Sequence, residues 1–467
     1  MIGAGMAGLA AAARLATRDN SVILCEASQA VGGALGGWQH DDLIFDTGAY
    51  TLTLPAVYRD LFIKTGSRKK SAAATLEDRV DLQPLDPVRR YLFPDGTRLD
   101  LPNASLGRLR AAFDDALGPG AGDAWCRVID HGSLVWDTIR PALVDAPGSG
   151  GRELVQLART SRGRRALTPG RSLHALAGRW FRGGDSWLFL LLDDYARQAG
   201  ADPQRAPGVL AMHVYIEHAF GAWRIGGGLH TLAEALHQRV IDRGVEVRLG
   251  ARVARIETGG ADARSGAGAG AVTGVTLADG ERLAADVVVA AVDQVVLAGL
   301  LGVSASSGQS SADSYSATVT TLCLEIDDPP AMPHETVLLN ERDPALRIHV
   351  RQEQPTAWTV HADGVQEAGD MLAALARRGI DVRDKVRVQH VITGADRAAA
   401  TGVPGGAAYG PAANGLRSAL LRSAVTQDAP GLYHVGASAR PGAGLPFVAL
   451  SAWQAAELIR GRAKSEG

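Results

Sequence analysis

The sequence predicts an α/β fold: a doubly wound parallel sheet assembled from three chain segments, with an α+β unit inserted between them. Three observations predict it. The chain opens on Gly3-x-Gly5-x-x-Gly8, followed by the Ala-rich run "LAAAARLA" and the β-rich "SVILCE" (21–26), so turn, helix and strand come in order. In "GGGLHTLAEALHQRVIDRGVEVRLG", Leu229, Leu232, Leu236 and Val240 recur at helical spacing, Gly244 ends the helix, and Val245 and Val247 alternate as a strand. The chain closes on "GLYHVGASARPGAGLPFVALSAWQAAELI", a strand, a glycine-rich turn and a final helix. Residues 1–60, 220–300 and 425–467 are expected to form one unit, and 61–219 with 301–424 the other.

The remaining elements follow from local pattern. "AVTGVTLADGERLAADVVVAAVD" reads as a hairpin around Asp279-Gly280 followed by a buried strand. The first insertion is Arg- and Leu-rich and reads as mostly helical. The second mixes strand-like runs ("SATVTTLCLEI", "ALRIHVRQE", "AWTVHA") with a helix at "DMLAALARRG". The low-complexity run 259–274 reads as a flexible hairpin loop, because no helix follows its "GAGAG".

Composition bounds the function. With 467 residues, 46% hydrophobic and 21% charged, the chain can bury a large core in two or three domains. A net charge of −2 gives no reason to expect a nucleic-acid partner. Cys25, Cys126 and Cys323 are far apart and form no CxxC pair, which fits a reducing, cytoplasmic setting. No run approaches the ~18 apolar residues of a membrane span, and the first residues lack the basic region of a signal peptide. Peripheral membrane contact stays open.

The chemistry-bearing signal is the opening fingerprint of a Rossmann-like dinucleotide site. Gly3 permits a tight turn, Gly5 lets backbone approach a pyrophosphate, and Gly8 allows close helix–strand packing. The helix that follows would turn its N-terminal amides, including those of Met6 and Ala7, toward phosphates. Glu26, 18 residues after Gly8, ends the next strand where an acid binds a ribose hydroxyl pair, with Ala27 beside it. The Val/Ile-rich strand that normally feeds such a turn is nearly missing, since only Met1 and Ile2 precede Gly3. The expectation is that natural residues precede the start; with Met1 as the start, lost ladder bonds, an exposed core and weak cofactor retention are expected.

Further motifs carry a family resemblance: "EASQAVGGALGGWQHDDLIFDTGAY" behind the fingerprint, "WRIGGGLHTLAEAL", "TGVPGGAAYG" and the C-terminal "GLYHVGASARPGAGLPFVALSA". In these the chain resembles the phytoene desaturase (carotenoid desaturase) branch of the FAD-dependent amine oxidase superfamily, most strongly at both ends and near residue 225. The resemblance implies FAD as cofactor. It places Gly3 to Gly8 at the pyrophosphate, Glu26 at the adenosine ribose, Gly33 and Ala34 near the flavin phosphates and Val253 at adenine. Gly436, Leu445, Pro446 and Phe447 would fall along the isoalloxazine and ribityl parts. It also implies hydride removal from an apolar, isoprenoid-like substrate to form C=C bonds, in a dry apolar tunnel, with flavin N5 as acceptor. Oxygen or a quinone would reoxidise the flavin, because only one dinucleotide fingerprint is present.

Departures from the family pattern keep alternatives open. The arginine of the family's GGR motif is Ala34 here, and Ala439-Arg440 stands where the family has Thr-His. Arg440 could replace charge near the cofactor, shape a different pocket, or be a solvated surface residue. A flavin-dependent amine or small-molecule oxidase and a non-catalytic flavoprotein therefore remain rivals. Tyr50, Trp223 and Tyr409 fall in family motifs and are the pocket-lining candidates. Asp193-Asp194 reads as a solvated helix face, and His213 and His218 as core or pocket wall; no metal is expected.

Overall fold

The computed structural model describes all residues except 18–19, 67–74, 149, 182–185, 260–269, 304–313, 341–344 and 467. The expected 259–274 loop lies largely outside them.

A parallel sheet forms from widely separated pieces. Strand Ile23–Cys25 pairs with Glu246–Arg248, and Val288–Ala290 pairs with Leu432–His434. Ile2 joins the two halves through parallel bridges to both Cys25 and Ala290. Its amide donates to the Val289 carbonyl and its carbonyl accepts from the Ala291 amide, both near 2.9 Å. Met1 and Gly3 exchange bonds with Cys25. The expected loss of central ladder bonds is thus not seen at these residues, and Ile2 is buried.

The helices Met6–Leu15, His230–Asp242 and Leu445–Glu466 pack together on one face of the sheet. The other face is covered by a three-stranded antiparallel meander, Val253–Thr258, Val272–Leu277 and Arg282–Ala284, with the hairpin at Asp279-Gly280 as expected. The all-Ala stretch of the first helix is fully buried, so small side chains set a close approach there.

The second unit combines a seven-stranded mixed sheet with a helical bundle. Five strands come from residues 319–392 and two, Arg89–Leu92 and Arg98–Leu101, from the first insertion. The first insertion is therefore not all helix; its strands are polar in alternation ("RRYL", "RLDL"), which its Arg/Leu composition hid. One sheet face is apolar, with Leu322, Leu324, Ile348, Val350, Trp358 and Val360 packed beneath helix Ala368–Arg377. The helices between Leu106 and Phe220 form their own core around Trp125, Val128 and Val135.

The joint between the two sheets is polar. Arg351 donates to the Gly227 and Ile44 carbonyls and to Gln354 Oε1 (2.8 Å), with its Nε 3.8 Å from Asp46. Replacing Arg351 by Met removes the guanidinium donors from the Gly227 and Ile44 carbonyls and leaves Asp46 with only His230 beside it. Urea unfolding of Arg351→Met is expected to show a loss of about 3–5 kcal/mol, against no resolvable loss for a surface arginine such as Arg383.

Candidate functional site

Three glycines shape the first wall of the site. Gly3 adopts φ +91°, and a Cβ there would lie 2.9 Å from the Ala291 carbonyl oxygen; a methyl on Gly8 would overlap the Gly3 carbonyl itself. Turn, helix and neighbouring strand therefore close directly on one another, as the fingerprint spacing requires. Gly5 caps the helix Met6–Leu15 without any side-chain cap, leaving the first-turn amides to other acceptors. Across from it, Gly33 (φ +57°) would bring a Cβ within 3.1 Å of the Gly5 Cα. Gly33 and Ala34 are exposed at this edge.

Glu26 reaches back to the turn: its Oε2 accepts from the Ala4 amide at 2.6 Å and its Oε1 from the Ser28 amide. Ala27 follows it at the strand end. Val253 opens the meander strand and is buried. Gly436 arrives from the other end of the chain, placed so that a Cβ would sit 3.8 Å from the Ala7 Cβ. The last helix begins at Leu445, whose carbonyl accepts from the Tyr58 hydroxyl at 2.8 Å. Pro446 sits in its first turn, where a missing N–H is harmless. Phe447 is buried edge-on against His213 (5.8 Å) and Trp136 (6.4 Å).

Residues 45–50 link this cradle to the second unit. The Thr47 hydroxyl donates to the Gly36 carbonyl (2.7 Å), and the Gly48 Cα presses on the Ala34 carbonyl too closely for any side chain. Arg397 bonds the Thr47 carbonyl (2.8 Å) and the Thr321 hydroxyl (2.5 Å) together. Tyr50 then projects onto the second sheet. Its hydroxyl donates to Glu335 Oε1 (3.0 Å), and its ring stacks on His349 (4.5 Å) and His361 (5.6 Å).

That sheet face is largely polar, with Val337 and Ala357 among its buried apolar members. Strand alternation turns Arg89, Glu335, Arg347, His349, Thr359 and His361 the same way, opposite to the apolar face. Arg89 pairs with Glu335 (3.1 Å) and Glu217, and Arg347 with Glu335 (3.1 Å) and Asp194. Burial pushes the Glu335 carboxyl up, but Arg89 and Arg347 outweigh it and hold it below the usual range. Burial raises Glu217 despite Arg89. Asp194 is fully buried here, bonded to Arg347, Tyr91 and Gln198. The solvated-face reading of Asp193-Asp194 is thus corrected for Asp194, because its helix Ser186–Gln198 turns that position into the bundle.

Of the pocket candidates, Tyr50 and Tyr409 meet around Arg347 and Glu335, whose charges act on both phenols; burial raises Tyr409 to about 12. Trp223 is not with them. Its indole donates to the Phe220 carbonyl and lies beneath Arg59 (5.4 Å). Arg440 is half-buried with its guanidinium against Gly150, near Glu153, so it is not a solvated residue. The buried cation beside the C-terminal turn is instead Arg422, which donates to the Tyr409 (3.1 Å) and Ala437 (2.6 Å) carbonyls and is pushed down to about 10 by burial. Arg422 lay outside every motif. The polar sheet residues were legible in principle, as strict alternation in "LRIHVR" and "TAWTVHAD".

A two-segment glycine cradle at a helix N-terminus, an acid at the neighbouring strand end and a second sheet facing it define a dinucleotide-dependent oxidoreductase. Residues 6–460 match the family model described as flavin containing amine oxidoreductase, and the chain belongs to that family. It is an FAD-dependent oxidoreductase. The hydroxyneurosporene desaturase of Cereibacter sphaeroides is 30% identical over 98% of this chain and 96% of its own. The 4,4'-diapolycopene oxygenase of a Methylomonas species is 26% identical over 97% of this chain and 95% of its own. Among solved structures, a putrescine oxidase bound to putrescine matches with a TM-score of 0.64 at 14% identity, covering 99% of this chain and 98% of its own, which shows the fold alone.

Two outcomes follow from this geometry. A side chain at position 33 must both adopt positive φ and intrude on Gly5, so Gly33→Val is expected to lower FAD content at purification about tenfold or more, read as flavin absorbance per protein. Burial, with Arg422 nearby, pushes His213 down to about 4; burial, with Arg397 and Arg347, pushes His361 to about 3. Both stay neutral when folded but gain a proton when unfolded below pH ~6.5. Their contribution to stability is complete above that pH and falls as pH drops toward the folded values, by about 1.4 kcal/mol per unit for each. Chemical denaturation between about pH 7.5 and 5 should show this slope, and His213→Phe should reduce it by one proton's worth.

Proposed function

We propose that this enzyme is a desaturase that removes hydride from an apolar isoprenoid polyene to form C=C bonds. The observation that supports this most is the end-to-end relationship to hydroxyneurosporene desaturase, with both halves of the cradle present in order. In this reading, residues 1–60, 220–300 and 425–467 hold FAD, and 61–219 with 301–424 hold the substrate. The pyrophosphate lies against Gly3, Gly5, Met6, Ala7 and Gly8, with Gly33 and Ala34 closing over it. Glu26 and Ala27 meet the ribose, Val253 the adenine, and Gly436, Leu445, Pro446 and Phe447 the flavin end. FAD, when bound, supplies the hydride acceptor. The protein contributes orientation, through Tyr50 and Tyr409, and exclusion of water by the packed bundle. Hydride leaves one carbon for the cofactor, and the C=C bond closes as the adjacent carbon loses a proton to solvent. Oxygen or a quinone takes the electrons onward.

The test is anaerobic mixing of the FAD-loaded enzyme with a partly saturated carotenoid. Loss of the flavin band near about 450 nm, together with a red shift of the polyene spectrum, is expected. Bleaching by polyamines but not polyenes would replace the reading by an amine oxidase.

An apolar substrate resides in a bilayer, and among the described residues no helix is long and apolar enough to cross one. The exposed segment 151–165 carries Arg152, Arg159, Arg162, Arg164 and Arg165 against a single acid, Glu153, with Val155 also exposed. In the proposed function this segment rests on an anionic membrane surface. Co-flotation with phosphatidylglycerol vesicles but not phosphatidylcholine vesicles is expected, and an Arg159→Glu, Arg164→Glu, Arg165→Glu variant should remain unbound.

A further inference from the structure

Arg422 is a buried cation held by backbone rather than by a carboxylate. It is 8% exposed, and its Nη1 donates to the Tyr409 (3.1 Å) and Ala437 (2.6 Å) carbonyls. Its Nε is buried with no hydrogen-bond partner among the described residues. Asp293 is the acid whose charge reaches it, yet no ion pair within 4 Å joins the two. Asp293 Oδ1 is instead taken by the Val295 amide (2.9 Å) and the Tyr315 hydroxyl (2.6 Å). The buried Arg89 and Arg347 each meet two carboxylates. A guanidinium taken out of water without such a partner is costly unless another anion completes its surroundings.

The side chain lies against the turn that leads into the last helix. A Cβ built on Gly442 (φ +139°) would be 3.5 Å from Nε and 3.7 Å from Cδ. Ala437 follows Gly436, and the helix Leu445–Glu466 begins three residues after Gly442. First-turn amides of a helix lack partners within it and carry the positive end of its dipole, so guanidinium and helix start act on one short stretch. The neighbouring basic groups add little charge there. His213, edge-on to Phe447, is held neutral by burial and by the Arg422 charge, and Arg440 has Glu153 near it.

What develops at this stretch in the flavin reading is negative charge. Hydride brings two electrons and one proton, so a neutral isoalloxazine that accepts it at N5 becomes an anion, with the charge spread over N1 and the C2 carbonyl. The substrate gives up the hydride from one carbon and then a proton from the next. We propose that Arg422, acting with the start of the last helix, is the counter-charge of the reduced flavin and favours FAD after hydride transfer over FAD before it. The proposal rests on the placement of the flavin end at Gly436 and Leu445 to Phe447. Carbonyls at Tyr409 and Ala437 fix the guanidinium without neutralising it, so the charge stands in position before the reaction begins.

The experiment measures the reduction potential of the bound flavin by anaerobic equilibration with a reference dye, in wild type, Arg422→Lys, Arg422→Gln and Arg422→Met. Loss of the charge is expected to weaken reduced FAD relative to oxidised FAD about tenfold to a hundredfold, a fall of about 30–60 mV for a two-electron couple. Arg422→Lys, which keeps the charge, should stay near wild type. Arg422→Gln, which keeps N–H donors for the carbonyls but no charge, should fall with Arg422→Met. Equal potentials in all four proteins overturn the proposal, as does a fall in Arg422→Lys as large as in Arg422→Met. So does Arg422→Gln at the wild-type potential, which marks an arginine that only holds the two carbonyls. If the uncharged variants lose FAD on purification, titration with oxidised and with reduced FAD gives the same ratio, and equal weakening of both overturns the proposal. Leu445→Trp tests the placement separately: an indole beside the isoalloxazine is expected to quench flavin fluorescence. Unchanged fluorescence overturns the flavin-end placement, while the four potentials still decide whether Arg422 acts on the cofactor.

Discussion

The six residues 45–50 are the constraint on which the rest of the structure depends. Asp46 faces Arg351 and His230, Thr47 bonds Gly36 and is held by Arg397, Gly48 meets the Ala34 carbonyl, and Tyr50 stacks on the second sheet. Each contact involves a different chain segment, so one short stretch fixes the turn at residues 33–34, the loop at 227–228 and the polar sheet relative to one another. Backbone carbonyls accept most of the arginine donors at this joint, which satisfies buried groups on both sides. A cradle and a substrate face built on separate sheets need such a joint, since a displacement of about 1 Å between reacting partners is enough to cost much of the rate.

The polar sheet face is the second organising feature. Burying Arg89, Arg347, Glu335, Glu217 and Asp194 is tolerable because each charge has an opposite charge within bonding reach and further hydrogen bonds from Tyr50, Tyr91 and Tyr195. Such a network defends its own geometry: moving any member exposes another to a dry environment. It also changes the expected character of the site. Where the family resemblance implied an apolar lining, the sheet presents a face of imidazole, phenol and paired charge.

Legibility in the sequence followed the length scale of the interaction. The glycine fingerprint, Glu26, the hairpin at Asp279-Gly280 and the final helix were readable because each depends on neighbours a few residues away. The first-insertion strands were missed although Arg89–Leu92 and Arg98–Leu101 form a local hairpin, because their Arg/Leu composition resembled an exposed helix; only Arg89–Leu92 pairs onward, with a strand some 240 residues later. Asp194 was misread because it is drawn inward by Arg347, more than 150 residues along. Arg440 was singled out for its motif position, yet the buried cation of that turn is Arg422, whose partners are backbone carbonyls that no side-chain pattern reveals.

By itself the sequence determined that two glycine-rich turns and a strand-end acid stand in the right order to hold a flavin dinucleotide, because fingerprint geometry is written in residue spacing. Only the tertiary structure decided that Ile2 bridges the two halves of the parallel sheet, that residues 45–50 clamp the two sheets, and that three imidazoles converge around Tyr50. Those outcomes depend on which distant surfaces meet, and contact between distant surfaces is selected by the packing of the whole chain rather than by any local run of residues.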